Sequence, residues 1–462
     1  MKYLVLLCLL CSCASMSALN GEAPRPNIIW IIADDLGYAD LGFTGCADIP
    51  TPHLDSLAAR GVICTDGHVS ASVCAPSRAG LITGRYQQRF GFECNLGSNK
   101  DGLLPSVPTA AQLMGGAGYE TAAIGKWHLG YAEELHPMEL GFAHFTGLLG
   151  GSRSYFPKTE KAPTKAQRIE RDRVLVPEEN FDYLTDFFTE EACRLVVERD
   201  QERPLFMYLS YTAPHGPMHA REDLFEEFSG IEKDRRRKYA AMVAALDEGV
   251  GRLLETLDAE GMREDTMIVF LSDNGGATNN GSDNGSWRGM KGSKWEGGQR
   301  VPFVVEWPGV FDAGEYSQAI SSLDLLPTAL AAAGAEAPQE LDGVDLRSHL
   351  SGELKSAPHE RLYWRRFVAG AVREGDWKLI RVREEDGSFR EPILVDLAND
   401  PGEEINRAGH EPERAARMRA DLELWEAGLA EPRWREGAVW EKNQRKKHEL
   451  DLLGRDAERS FP

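Results

Sequence analysis

Four stretches of the chain are apolar almost without a break, and each stops abruptly at polar residues. Asn27 to Ala33 runs into Asp34-Asp35, and Thr121 to Gly125 into Lys126-Trp127-His128. Leu205 to Tyr211 runs into Thr212-Ala213-Pro214-His215, and Thr266 to Leu271 ends just before Asp273-Asn274-Gly275. An unbroken β-rich apolar run predicts a strand buried on both faces. Between these runs the apolar spacing becomes helical. Thr51 to Arg60 reads as a short helix closed by Gly61. Leu184, Phe187, Phe188, Ala192, Leu195 and Val196 form one stripe, and Tyr239, Met242, Val243, Leu246, Val250, Leu253, Leu254 and Leu257 another. Strands alternating with amphipathic helices predict an α/β class: a large, doubly wound, mostly parallel sheet with helices on both faces. Ligands of such sheets bind beyond the carboxyl ends of the strands, so the polar residues after the four runs are expected on one rim.

From about Leu362 the texture changes to short strands, at Leu362–Trp364, Gly370–Arg373, Trp377–Val382 and Ile393–Leu397, joined by polar connections. This predicts a smaller antiparallel-sheet subdomain with a terminal helix. The expected division is a catalytic domain over 24–350, an α+β subdomain over 351–440, and a charged tail over 441–462 that is a peripheral helix or a frayed end. No internal repeat is visible.

Composition narrows the function. With 42% hydrophobic and 27% charged residues the chain reads as globular. A formal net charge of −21 argues against nucleic acid as a partner and requires that any anionic substrate be drawn by a local basic pocket. No internal run suits a transmembrane segment. Residues 1–18, with Lys2, an apolar centre and small residues up to Ala18, have the form of a secretory signal peptide, and Leu10 to Cys13 could alternatively be a lipoprotein cleavage box with Cys13 lipidated. Either reading makes the protein secreted or periplasmic. Five of the eight cysteines lie beyond this leader; five is odd, and Cys74 is the candidate for the unpaired one.

Asp34, Asp35, Asp273 and Asn274 would supply only oxygen ligands at two strand ends, which suits a hard cation, Ca²⁺ or Mg²⁺, rather than zinc. An aspartate after a strand is by itself only a common turn residue; a second acidic pair on another strand end strengthens the metal reading. Pro76 suits a first helical position, which would put Cys74 at the N-terminus of a helix running to Gly84. An isolated cysteine is ordinarily a buried structural residue. Here, however, Cys74-Ala75-Pro76-Ser77-Arg78, continuing to Gly84-Arg85, resembles the maturation signature of type I, formylglycine-dependent sulfatases of the alkaline-phosphatase-like superfamily. Gly118-Tyr119 through Lys126-Trp127-His128-Leu129-Gly130, Pro214-His215, Ser272-Asp273-Asn274-Gly275 and Arg288-Gly289-Met290-Lys291-Gly292 are similar to that family's further motifs. Lys291, not the nearby Lys294, holds the motif position. The resemblance spans roughly Pro26 to Asn406.

The resemblance implies hydrolysis of sulfate esters, with Cys74 oxidised to formylglycine by a formylglycine-generating maturation enzyme. It implies that Asp34, Asp35, Asp273 and Asn274, with position 74, hold the cation, for which calcium is favoured over magnesium. Arg78 and Lys126 would stabilise the hydrated aldehyde, His128 would take the proton that drives sulfate expulsion, and His215 with Lys291 would protonate the leaving alkoxide. A secreted chain without long apolar hairpins suggests a carbohydrate sulfatase acting on a sulfated polysaccharide or oligosaccharide. Between Arg153 and Arg173 lie seven basic and three acidic residues, a loop that could grip a polyanion or simply be a solvated surface. Arg153, Tyr155, His219, Trp364 and Arg365 are the candidate substrate contacts. A phosphodiesterase or phosphonate hydrolase on the same fold, and an unmatured glycan-binding protein, remain as alternatives.

Overall fold

Residues 28 to 32 of the first strand are wholly buried, and their alternation explains why the run contains no polar residue. Ile29, Ile31 and Ala33 enter a core built with the helices Leu184–Glu198 and Asp234–Ala259. Ile28, Trp30 and Ile32 enter a second core with Cys74–Thr83, Ala110–Gly116 and Leu325–Ala332. The strand is therefore sandwiched between two helical layers, and either face would reject a charge. The computed structural model describes residues 25–98, 100–158 and 162–449; the leader read over residues 1–18 lies outside them. Among the described residues no helix is long and apolar enough to cross a membrane.

The large sheet has ten strands, in the order Gly314–Tyr316, Val62–Cys64, Phe303–Glu306, Thr266–Ser272, Asn27–Ala33, Leu205–Ser210, Glu120–Lys126, His144–Leu148, Glu170–Arg171 and Val174–Leu175. The five from Thr266–Ser272 to His144–Leu148 are parallel and include the four expected strands. The neighbours that flank them, Phe303–Glu306 and Glu170–Arg171, run antiparallel to the core. Several flanking strands are only two to four residues long, too short to carry a periodic signal. In the core, Ala33 pairs with Ser272 and Ile32 with Ser210, so three strands end in step. Asp34 N donates to Ala213 O at 2.9 Å and Asp273 N to Ala33 O at 3.0 Å, which fixes the polar residues that follow at one level.

Leu362–Arg366, Ala369–Glu374, Trp377–Val382 and Ile393–Asp396 form the antiparallel four-stranded sheet. One face packs on the helix Pro412–Ala427 through Ala415, Met418 and Leu422, and the other buries Trp295 of the large domain. Two expectations need correction. The helix after Val73 begins at Cys74, so Pro76 is its third residue rather than its first; proline is tolerated there because the first four helical N–H groups lack intrahelical acceptors. As far as it is described the tail follows the helical alternative, over Ala438–Lys446, but it is not peripheral, since Glu441, Gln444, Arg445 and His448 are buried. Residues 450–462 lie outside the described residues.

Candidate active site

Asp34, Asp35, Arg78, Lys126, Asp273 and Asn274 are all buried at the carboxyl ends of the parallel strands and the start of the Cys74 helix. So many buried charges persist only because they answer one another. Lys126 Nζ lies 2.6 Å from Asp34 Oδ2, and Arg78 Nε donates to Asp273 Oδ2 at 2.8 Å. Arg78 Nη1 also meets the Ser210 hydroxyl and, at 3.3 Å, that of Tyr208. Arg78 stands four residues after Cys74, so both project from one face of their helix. Lys291 Nζ lies 2.9 Å from Asp35 Oδ2 and 3.0 Å from Cys74 Sγ. Cys74 Sγ is 3.5 Å from Asp34 Oδ1 and 3.9 Å from Asp35 Oδ1. His215 Nδ1 is 2.6 Å from Gly216 O; donating there leaves Nε2 facing Asp35 Oδ2, 3.6 Å away.

Asp35 and His128 both adopt the left-handed backbone region, with φ of 64° and 59°. Neither is glycine, and such conformations are held only where surrounding structure enforces them. Both stand two residues past the end of a strand, Ala33 in one case and Lys126 in the other.

The electrostatics divide the acids. Burial opposes ionisation of Asp34, but Lys126, His215 and Arg78 together outweigh it and hold the carboxyl well below its ordinary range. Burial likewise opposes ionisation of Asp35, and Lys291 and His215 overcome it. Asp273 is pushed up to about 6, by burial and then by the neighbouring Asp34 charge, against Arg78. Burial pushes the Cys74 thiol up to about 12 despite Lys126 and Lys291. An unmodified thiol held there is not a ready thiolate nucleophile. Burial, then Lys126 and Arg78, depress His128 well below 6.5, which keeps its imidazole neutral.

A cation would fit this cluster. Ligand atoms of Asp34, Asp35, Cys74 and His215 lie within 4.8 Å of one another. Asn274 Oδ1 is a buried oxygen with no hydrogen-bond partner, while its Nδ2 donates to Asp35 Oδ1 at 2.7 Å. An orphaned carbonyl oxygen beside ionised carboxylates suits an oxygen-seeking ion.

These groups open into a cavity of about 380 Å³, where Cys74, His128, His215 and Lys291 meet Asn95, Tyr131, Ser152, Thr164 and Gln167. The last five were not anticipated. Asn95, Tyr131 and Ser152 stand in loops and Thr164 caps the single helical turn that ends at Gln167; none carries a motif, so only the fold brings them together. Lys294, close to Lys291 in sequence, is buried with Nζ 3.2 Å from Ser72 Oγ instead.

The candidate substrate contacts fare differently. Arg153 is buried, paired with Glu178 at 2.6 Å and bonded to Gln167 O at 3.0 Å. The Tyr155 hydroxyl is buried against the carbonyls of Thr212 and His215, at 2.5 and 2.8 Å, where it supports the His215 turn. Trp364 is buried with Nε1 donating to Val69 O, and Arg365 is engaged by Glu93. These four are candidate substrate contacts in the sequence because charge and aromaticity do not reveal a partner; in the structure their hydrogen-bonding groups are engaged within the fold. His219 is part-exposed, its Nδ1 3.2 Å from Ser154 Oγ. Arg171 and Arg173 of the basic loop pair with Glu191 and with Glu133 and Glu139, so these two charges are already answered within the fold. The five cysteines among the described residues are all free.

The family model described as Sulfatase matches residues 26–335, and one described as N-sulphoglucosamine sulphohydrolase, C-terminal, matches residues 290–426. Arylsulfatase A of Homo sapiens is 33% identical over 440 residues, covering 84% of this chain and 84% of that protein. Arylsulfatase J of Mus musculus is 32% identical over 391 residues, which is 77% of this chain and 64% of the relative. Among solved structures, Ps i-CgsB in complex with k-i-k-neocarrahexaose is 34% identical, with a TM-score of 0.84 over 92% of this chain and 98% of that one.

Proposed function

Because the chain belongs to the sulfatase family of sulfuric ester hydrolases, we propose that it releases sulfate from a sulfated glycan, with a formylglycine formed from Cys74 as the reacting group. The observation that carries this reading is the position of Cys74 Sγ: on the cavity floor, 3.0 Å from Lys291 Nζ and within 4 Å of both Asp34 and Asp35. The buried, protonated thiol is a poor nucleophile, whereas a hydrated aldehyde at the same place supplies a hydroxyl for attack on sulfur and a second one for expelling the sulfate. Asp34, Asp35, Asp273 and Asn274 would hold a calcium ion, which lends Lewis-acid stabilisation to the sulfate oxygens. The neighbouring cations add to that stabilisation. Arg78 and Lys126, each fixed on an aspartate, face position 74 without needing to reorganise. His128, kept neutral, is suited to accept a proton. Lys291 Nζ is suited to deliver one to the departing oxygen, as is His215 Nε2 once it carries a proton.

The glycan reading is supported by the ligand of Ps i-CgsB, a neocarrahexaose. It is also supported by the polar side chains Asn95, Tyr131, Ser152, Thr164 and Gln167 around the cavity, which can hydrogen-bond sugar hydroxyls. Maturation would require a formylglycine-generating enzyme. Peptide mass spectrometry at position 74 tests the reacting group, and sulfate release from a panel of carrageenan and glycosaminoglycan oligosaccharides tests the substrate class. Cys74→Ala is expected to fold and release no sulfate. Release within tenfold of wild type by that variant would remove the proposal.

A further inference from the structure

The segment from Glu431 to Glu449 passes from one side of the catalytic cavity to the other and grips a loop on each. On the first side, Trp434 Nε1 donates to Asn95 O at 2.9 Å and Glu436 accepts from Asn95 N at 3.3 Å. Asn95 lines the cavity, and its Oδ1 accepts from Ala75 N, the residue next to Cys74, at 3.2 Å. On the other side, four contacts tie three consecutive residues of the strap to the loop that carries Lys291. Lys447 Nζ donates to the carbonyl of Lys291 itself at 2.6 Å. Lys447 O accepts from Trp295 Nε1 at 2.9 Å, and Glu449 O accepts from Arg288 Nη2 at 3.2 Å. His448 Nδ1 bonds to Gln444 O at 2.7 Å, which sets the tautomer and leaves Nε2 to accept from Lys294 N at 2.8 Å.

We infer that this C-terminal strap positions the catalytic lysine, with Lys447 and His448 setting where Lys291 Nζ stands over Cys74. Elsewhere the loop backbone is tied by Lys291 N to Gly276 O and Gly292 N to Ser72 O. Those bonds hold the loop against the sheet rim. The strap supplies the restraint from the opposite side. A lysine side chain has four rotatable bonds, so the place of its ammonium depends on where its backbone is anchored. A displacement of about 1 Å at a proton donor is enough to cost roughly a hundredfold in rate. The anchor is a short hydrogen bond from the part-exposed Lys447 Nζ directly to the Lys291 carbonyl, so it acts on the backbone of that residue itself. Lys447 and His448 do not line the cavity, so they act through Lys291 and not on the substrate.

This inference rests on Lys291 being a proton donor, and the experiment separates the two. Full-length matured protein is compared with Lys447→Met, Lys447→Arg, His448→Gln and Lys291→Ala on aryl sulfates whose leaving phenols range from 4-nitrophenol to phenol. A phenol that leaves unaided needs no proton, so losing the donor hurts the poorer leaving groups more. Lys291→Ala is expected to steepen the dependence of kcat on leaving-group pKa. Lys447→Met is expected to steepen it in the same sense, by about tenfold across the series, with KM within about twofold. Lys447→Arg should recover most of that loss, and His448→Gln should fall between. Amide exchange of residues 288–295, a readout independent of turnover, should speed up in Lys447→Met. If Lys447→Met lowers all substrates equally, or none, while Lys291→Ala still discriminates, the strap inference is overturned and the reading of Lys291 stands. If Lys291→Ala does not discriminate, the reading of Lys291 fails and takes the inference with it.

Discussion

Gly151 and Arg153 stand two residues apart in the same loop, and the two act on the site in opposite ways. A Cβ on Gly151 would come within 2.7 Å of His128 Cε1 and Nε2. The backbone at Gly151 is not in the left-handed region, so Gly151→Ala adds a steric load and no backbone strain. The imidazole must then shift from the place it holds on the cavity wall. We expect turnover to fall at least about tenfold, with a thermal midpoint within a few degrees of wild type; an unchanged kcat would mean that His128 has room to spare. Arg153 is the reverse case, a residue whose chemistry is spent on the fold. Arg153→Ala leaves Glu178 without its cation and strips Gln167 O of a donor. Because Glu178 is part-exposed, the cost is put at about 2–3 kcal/mol, below that of a fully buried pair. Denaturant unfolding should report that loss. The folded fraction should process an aryl sulfate and a sulfated polymer with losses in the same proportion. The residue types at the strand ends pointed to the candidate site because acids, a lysine and histidines follow four separate buried strands together, where any one of them alone is an ordinary turn residue. The type of Arg153 or Trp364 did not reveal that its partners were already waiting inside the protein.

At the scale of elements, the helix Cys74–Thr83 is buried along its whole length, which is why its sequence has no hydrophobic stripe to read. Its signal was the spacing of Cys74, Pro76 and Arg78, and that spacing still misplaced its start by two residues. The strands were legible for the opposite reason: each is buried on both faces, so composition alone marks it. Their flanking antiparallel partners were not, being short. The helix sets Arg78 where its fork spans Asp273 and the hydroxyls of Ser210 and Tyr208 at once. A lysine there carries the charge but cannot serve those three acceptors in a plane. Arg78→Lys is therefore expected to lose about 100-fold in kcat. The rate must be referred to the formylglycine content found by mass spectrometry, since the same residue belongs to the maturation motif. Turnover near wild type per matured site would show that charge, and not the fork, is what the site uses.

Across the whole molecule, the described part of the charged tail, up to Glu449, is a helix as one of the two sequence readings has it, but it is packed into the structure rather than peripheral. His448 sits where the strap, the Lys291 loop and the four-stranded sheet's domain meet, with its ring near Trp295. Burial depresses His448 to about 3, with the nearby Lys294 and Lys447 charges adding to it against the favourable bond to Gln444 O. Protonating Nε2 would also require it to stop accepting from Lys294 N–H. In the unfolded chain the same imidazole titrates near its ordinary 6.5. Between these limits the unfolded chain binds a proton that the folded chain refuses. Stability is then fully present above about pH 6.5 and falls as the pH drops toward 3, by up to about 1.4 kcal/mol per pH unit from this group. His448→Gln keeps an acceptor for Lys294 N–H but cannot titrate. Its unfolding free energy should therefore fall less steeply than that of wild type between pH 6.5 and 4, whatever its absolute stability at pH 7. Denaturant titrations at half-unit intervals would show the wild-type curve falling more steeply than the variant's on the acid side. Parallel curves would mean that His448 is already protonated in the folded protein at pH 6, and that the strap is held to the Lys291 loop by something other than its neutral ring.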